Sequence, residues 1–203
     1  MQKLSIKEKL LFAALDLFSE KGYEATTVDE IAESIGIKGP NLYKYFKGKE
    51  ALFLELSHIS EITYRDRMKL EGDPAERIHN AEQLKQFSIE QVIYTMNDDT
   101  TRKLRKLMTI EQYKNKYICN IATVHQFENI KELYTRIMSN LIKEGKIEPY
   151  DPEWLALIFT SPTTLMIQAY DREPHRKDEM MRKIVDHIDC FIEKYVKEDT
   201  VSY

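Results

Sequence analysis

From Ile6 onward the apolar residues Ile6, Leu10, Leu11, Ala14, Leu15 and Phe18 recur every three to four positions, while Lys7, Glu8, Asp16 and Glu20 fall largely on the other side of the wheel. This spacing predicts an amphipathic helix over 6–21 that ends at Gly22. Next comes Thr27-Val28-Asp29-Glu30, in which Thr27 can accept an amide three residues on and Glu30 can reach back to the cap, the reciprocal pairing that starts a helix. Val28, Ile31, Ala32 and Ile35 then share one face, until Gly36 supplies the permissive backbone of a tight turn. Gly39-Pro40 follows at once. Proline is tolerated at a first helical position because the amide it lacks has no intrahelical partner there, so a third short helix is predicted over 40–45.

The helical period resumes with Leu52, Phe53, Leu56, Ile59 and Ile62, giving a connecting helix to about Lys69 that Gly72-Asp73-Pro74 breaks. Further helices are expected near 74–96, 99–115, 126–145, 152–171 and 175–197, separated by Asn97-Asp98, by Gly145 and Pro149, and by Glu173-Pro174. No strand pattern competes and no internal repeat is visible, so the expected fold class is all-α. Residues 154–170 lack formal charge, but the polar run Thr160-Ser161-Pro162-Thr163-Thr164 divides them and they fall short of the roughly 20 apolar residues a bilayer requires. A buried or interfacial helix is expected there.

With 203 residues and 42% hydrophobic composition, the chain can bury one large core or two smaller ones, which excludes disorder and fibrous repeats. The net charge of -4 offers no global attraction to nucleic acid or an anionic membrane. Any such contact must be local, and one stretch qualifies. Lys38, Lys44, Lys47 and Lys49 occur with no Asp or Glu among them, interleaved with Tyr43, Tyr45 and Phe46. A charge run by itself is usually a solvated face; this one coincides with the turn and caps just described, which points to nucleic acid. Cys119 and Cys190 lie far apart, and the first residues lack the apolar run of a secretory signal, so a reducing cytoplasm is the expected compartment.

Two short helices joined by a Gly-containing turn, behind a longer supporting helix, make a helix-turn-helix. The stretch resembles the N-terminal region of TetR-type transcriptional repressors, through the helix from Ile6 to Lys21, Gly22-Tyr23, Thr26-Thr27-Val28, Ile31-Ala32 with Gly36, and the run from Leu42 through Phe46-Lys47-Gly48-Lys49 to Leu52. At motif level the resemblance covers about a quarter of the chain. Lys38 stands where such proteins often carry a small hydroxyl residue, and Gly48 where a polar cap is usual.

The resemblance implies a helix-turn-helix DNA-binding domain over 1–48 and a larger helical effector-binding and dimerisation domain over 49–203. It further implies a transcriptional regulator, a repressor released from a palindromic operator by a small molecule. The third helix would present Lys38, Gly39, Pro40, Asn41, Tyr43 and Lys44 to the major groove. Lys49 and the pair Thr26 and Thr27 would meet phosphates at helix starts. Leu42 and Phe46 have inward spacing, whereas Tyr45 could face either way. Two recognition helices must meet half-sites about 34 Å or a multiple apart, which calls for a homodimer. The strongly apolar faces of the last two helices, with Leu155, Phe159, Ile184, Ile188 and Phe191, suit a two-fold four-helix bundle, although they could equally complete the monomer core. Tyr64, Met68, Phe87, Tyr94, Met96, Met108, Tyr113, Phe127, Tyr134 and Met138 could line an apolar effector cavity or serve as plain core. The sequence does not identify the effector.

Two rival classes remain open to the sequence. Glu55/His58 and Glu76/His79 have the Glu-x-x-His spacing of a di-metal oxidoreductase in a helical bundle. Chance placement in a Glu-rich helical chain accounts for such pairs, and His187 and Cys190 lack partners at ligand spacing. The other rival is a helical module whose helix-turn-helix grips protein. No Gly-rich phosphate loop, Gly-x-Ser-x-Gly elbow or Cys-x-x-Cys pair is present, so neither catalysis nor a cofactor or metal is expected.

Overall fold

The computed structural model describes residues 4–67 and 72–197. Ser5 opens α1 (Ile6–Lys21) by accepting the Glu8 amide, while the Glu8 carboxylate takes the Ser5 amide at 2.8 Å. The chain continues through α2 (Val28–Ser34), α3 (Gly39–Leu42), α4 (Lys49–Arg67), α5 (Ala81–Asn97), α6 (Asp99–Glu111), α7 (Lys116–Thr123), α8 (Asn129–Lys143), α9 (Pro152–Arg172) and α10 (Lys177–Tyr195). An isolated antiparallel bridge pairs Ile147 with Val196. The fold is all-α, and no strand is present among the described residues.

The chain divides into two compact units. The first holds α1 to α4 with α6 and α7 as far as Ala122, around Leu10, Phe18, Ile31, Leu42, Leu52, Phe53, Leu56, Leu107 and Ile118. The second holds α5 and α8 to α10 around Leu84, Met96, Ile137, Met138, Leu141, Leu155, Phe159, Ile184 and Ile188. This division differs from a boundary between residues 48 and 49. Leu52, Phe53 and Leu56 of α4 are packed into the same apolar cluster as α1, so the connecting helix belongs to the first unit.

Several element bounds also differ from expectation. The predicted 74–96 helix is a short 3-10 turn at Pro74–Arg77 followed by α5, because extended Ile78 turns its side chain into the core and Asn80 restarts the helix by accepting the Gln83 amide at 2.9 Å. The sequence reading missed α7, which starts where Asn115 accepts the Tyr117 and Ile118 amides, and a π-helical turn at Val124–Glu128 carries it into α8. Pro162 lies inside α9. Among the described residues no helix is long and apolar enough to cross a membrane.

The five residues assigned to a subunit contact are instead enclosed in their own second unit. Leu155 and Ile184 are fully buried, and Ile188, Phe159 and Phe191 nearly so. Phe159 lies at the centre of an aromatic cluster, its ring 4.7 Å from Phe191, 5.0 Å from Tyr134 and 6.2 Å from His187. The most apolar stripe of each helix covers the core of its own unit. The His187 Nε2 donates to the Phe159 carbonyl oxygen at 2.9 Å, and Cys190 is exposed. At the edge of the cluster the single tryptophan, Trp154, lies 6.2 Å from the rings of both Tyr150 and Tyr195.

Candidate nucleic-acid interface

Thr27 caps α2 as its spacing predicts. Its hydroxyl accepts the Glu30 amide at 3.2 Å, and the Glu30 carboxylate takes the Thr27 amide at 2.8 Å. Lys21 adds an ion pair to Glu30 at 2.9 Å. Removing the cap in Thr27→Ala should lower stability by about 1 kcal/mol, read in urea unfolding. The Lys21 ammonium first, then the Thr27 amide and hydroxyl, lower the Glu30 pKa from 4.5 to about 2. A carboxylate depressed on folding stabilises the fold above its unfolded value and loses that contribution as pH falls through its folded one. Thermal melting should therefore drop between pH 4.5 and 2, and Glu30→Gln should flatten that drop.

After α2 the chain turns at Gly36, with the Ile37 amide donating to the Ala32 carbonyl at 3.1 Å. α3 is shorter than expected, Gly39 to Leu42, and continues as turns in which the Tyr45 and Phe46 amides both donate to the Leu42 carbonyl. Leu42 and Phe46 are buried and seat this segment in the first unit. Gly39 is buried too. A Cβ there would overlap the Asp29 carboxylate, which would have to turn aside, while the α2 backbone at Asp29 would lie at an ordinary contact distance of 3.6 Å. Gly48 adopts φ +148°, a conformation closed to L side chains, which is why the usual polar cap is replaced there.

With Leu42, Phe46 and Gly39 turned inward, Lys38, Pro40, Tyr43, Lys44, Tyr45 and Lys47 are exposed and Asn41 is half-buried. None of Lys38, Lys44 and Lys47 is in an ion pair with another described residue. The result is an uncompensated cationic strip with two tyrosine rings, Tyr43 being 60% exposed. Lys47 and Tyr45 extend the strip beyond the residues first assigned to it; the signal for both was the acid-free run that contains them.

Two of the expected phosphate ligands are engaged within the fold. Thr26 is fully buried and its hydroxyl donates to the Gly22 and Leu17 carbonyls, so it cannot reach a duplex. Lys49 donates to the Tyr23 carbonyl at 2.8 Å and the Glu24 carbonyl at 3.3 Å, with its ammonium 4.7 Å from the centre of the Tyr23 ring. It ties the start of α4 to the turn before α2. Tyr23 packs on Phe18 and Phe53, and burial pushes its phenol pKa up, with the Glu50 and Glu24 carboxylates adding to the effect.

The residues assigned to an effector cavity scatter. Met108 belongs to the core of the first unit, Tyr113 is 89% exposed in the turn after α6, and Phe127 is exposed on the π-helical turn beneath the Lys131 ammonium. Met138 and Met96 are fully buried core, Tyr64 and Tyr94 are half-buried, and Met68 lies outside the described residues. Tyr134 and Phe87 do come together, with rings 6.5 Å apart, and the Tyr134 hydroxyl lies 3.0 Å from both Ser88 Oγ and Gln91 Oε1. Metal chemistry finds no footing in the Glu-x-x-His pairs. Glu55 pairs with Lys7 and His79 with Glu144, and no group of three or more potential ligands gathers among the described residues.

A short helix backed by buried Leu42 and Phe46 and presenting exposed lysines and tyrosines behind a capped partner helix defines a helix-turn-helix DNA-binding protein. A model of the bacterial regulatory proteins of the tetR family matches residues 10–56. The transcriptional regulator AcrR of Shigella flexneri is 30% identical over 155 residues, covering 71% of this chain and 67% of AcrR. QacR of Staphylococcus aureus is 41% identical over 68 residues, 34% of this chain and 36% of QacR. Among solved structures, the complex of SmeT with triclosan superposes with a TM-score of 0.78 at 20% identity, over 97% of this chain and 94% of that one. SmeT is the repressor of the Stenotrophomonas maltophilia efflux pump SmeDEF. The chain belongs to the tetR family of bacterial regulatory proteins. It is a DNA-binding transcriptional regulator, not an enzyme.

Proposed function

We propose that the chain acts in the cytoplasm as a homodimeric repressor, holding a palindromic operator through the strip from Lys38 to Lys47 until a small molecule in the second unit releases it. The observation that carries this reading is that exposed Lys38, Lys44 and Lys47, around exposed Tyr43 on the second arm of the helix-turn-helix, form no ion pair with a described residue. Lys38, Asn41 and Lys44 supply donors for base edges, Pro40 an apolar contact, and Tyr43 a phosphate hydrogen bond. Gly39 leaves room for the Asp29 carboxylate, and Lys49 and Thr27 act by fixing the helix starts. SmeT, a repressor solved with triclosan, is in keeping with release by a small apolar ligand.

The two-fold contact is placed on the outer flank of α9, where Leu165 is 62% exposed and Ile158 half-buried, since the inner stripe is already covered. The test is a gel shift on DNA flanking the protein's own gene at two salt concentrations, followed by footprinting. Sequence-specific retardation over a two-fold symmetric site, with a steep salt slope, is expected. Absence of specific retardation at low salt would favour a helix-turn-helix that grips protein.

A further inference from the structure

Two neighbouring acids open α2, and they end differently. Glu30 is held by Lys21 and by the Thr27 amide, whereas the exposed Asp29 carboxylate is in no hydrogen bond or ion pair with a described residue. Packing shows where it lies. A Cβ built on Gly39 would come 1.6 Å from Asp29 Oδ1 and 2.8 Å from its Cγ, so the carboxylate rests directly against the glycine that starts α3. Gly39 is buried there, while Lys38 and Pro40 on either side of it are exposed. A negative charge therefore stands at the head of the recognition helix, beside a strip whose own charged residues are all lysines. On a surface that meets phosphates, such a charge lowers affinity for every duplex unless a base edge answers it.

We infer that Asp29 is a specificity-determining residue of the DNA interface and accepts the N4 amino group of one cytosine in each half-site. The inference rests on the reading of the strip as the surface that enters the major groove. A carboxylate can only accept there, and cytosine is the base whose major-groove edge offers a donor and no acceptor. Adenine sets N7 beside its N6 donor, guanine shows N7 and O6, and thymine shows O4; each of these acceptors repels a carboxylate. Asp29 thus selects by attraction at cytosine and by repulsion elsewhere, at the expense of general affinity. Lys38, one residue before Gly39, carries the donors that O6 and N7 of the paired guanine require. An acid that served only the positive end of α2 would affect stability and leave base preference alone.

Selection of duplexes from a randomised pool by the full chain, by Asp29→Ala and by Asp29→Asn tests the assignment, followed by anisotropy on one selected and one scrambled duplex. The parent should favour cytosine about tenfold over the other bases at one position of each half-site. Asp29→Ala should erase that preference, leave the other positions unchanged, and bind the scrambled duplex about two- to fivefold more tightly at low salt. Asp29→Asn should move the preference at the same position toward adenine, whose N6 and N7 an amide matches. Both variants should fold, since the carboxylate is exposed and bonded to no described residue. Gly39→Ala, which turns the carboxylate aside and keeps its charge, should blunt the same preference without the gain on scrambled DNA. The assignment alone is overturned if the parent selects a two-fold site and both Asp29 variants select it unchanged, or if Asp29→Ala gains nothing on the scrambled duplex. A parent chain that selects no sequence overturns the operator reading together with it.

Discussion

Replacing Lys38, Lys44 and Lys47 together with alanine should lower affinity for operator and random duplex alike, by about 100-fold or more at moderate salt. The three side chains are exposed and in no ion pair with a described residue, so each is available to displace a counterion from a phosphate. Each contact neutralised contributes about 0.9 to the slope of log affinity against log salt. Three lysines on each of two protomers should therefore flatten that slope by about 5 in the triple variant. Asn41→Ala should behave differently, shifting preference by about 1–3 kcal/mol at one base pair while leaving the slope intact. Fluorescence anisotropy on one operator and one scrambled duplex across a salt series separates the two effects. A triple variant whose salt slope matches that of the parent would remove the strip from the duplex surface altogether.

Phe159→Ala should be the most damaging single substitution in the second unit, lowering stability by about 3–5 kcal/mol. The ring is 2% exposed and touches Tyr134, His187 and Phe191, so its removal opens a void that rigid neighbours on α8 and α10 close poorly. Chemical denaturation at two protein concentrations checks its place. A core residue gives a loss that does not depend on concentration, while a residue between subunits would weaken association and leave each folded subunit nearly as stable. Leu165→Asp gives the opposite pattern if the outer flank of α9 joins two copies: dissociation by size-exclusion chromatography with the subunit still folded.

The first three helices were legible because each carries its own local signal. The period of α1, the Thr27–Glu30 box and Gly36 fix backbone choices within a few residues, with no reference to the rest of the chain. The acid-free lysine run was equally visible. Periodicity is silent, however, on what covers an apolar face. Leu155, Ile184 and Phe191 read alike whether a partner subunit or α8 lies opposite, and only the packed structure puts them in the core. Lys49 and Thr26 show the same limit for polar groups, since a donor near a helix start can serve a phosphate or, as here, a neighbouring carbonyl. The π-helical turn left no pattern in a 3.6-residue period, and α7 was lost with it.

Trp154, on the second unit's aromatic edge with Tyr150 and Tyr195, makes the chain a one-sided optical reporter. Indole emission on denaturation follows loss of packing around the start of α9, whereas the first unit contributes only tyrosine signals. Melting curves recorded by indole fluorescence and by far-ultraviolet ellipticity will coincide only if both halves unfold in one cooperative event.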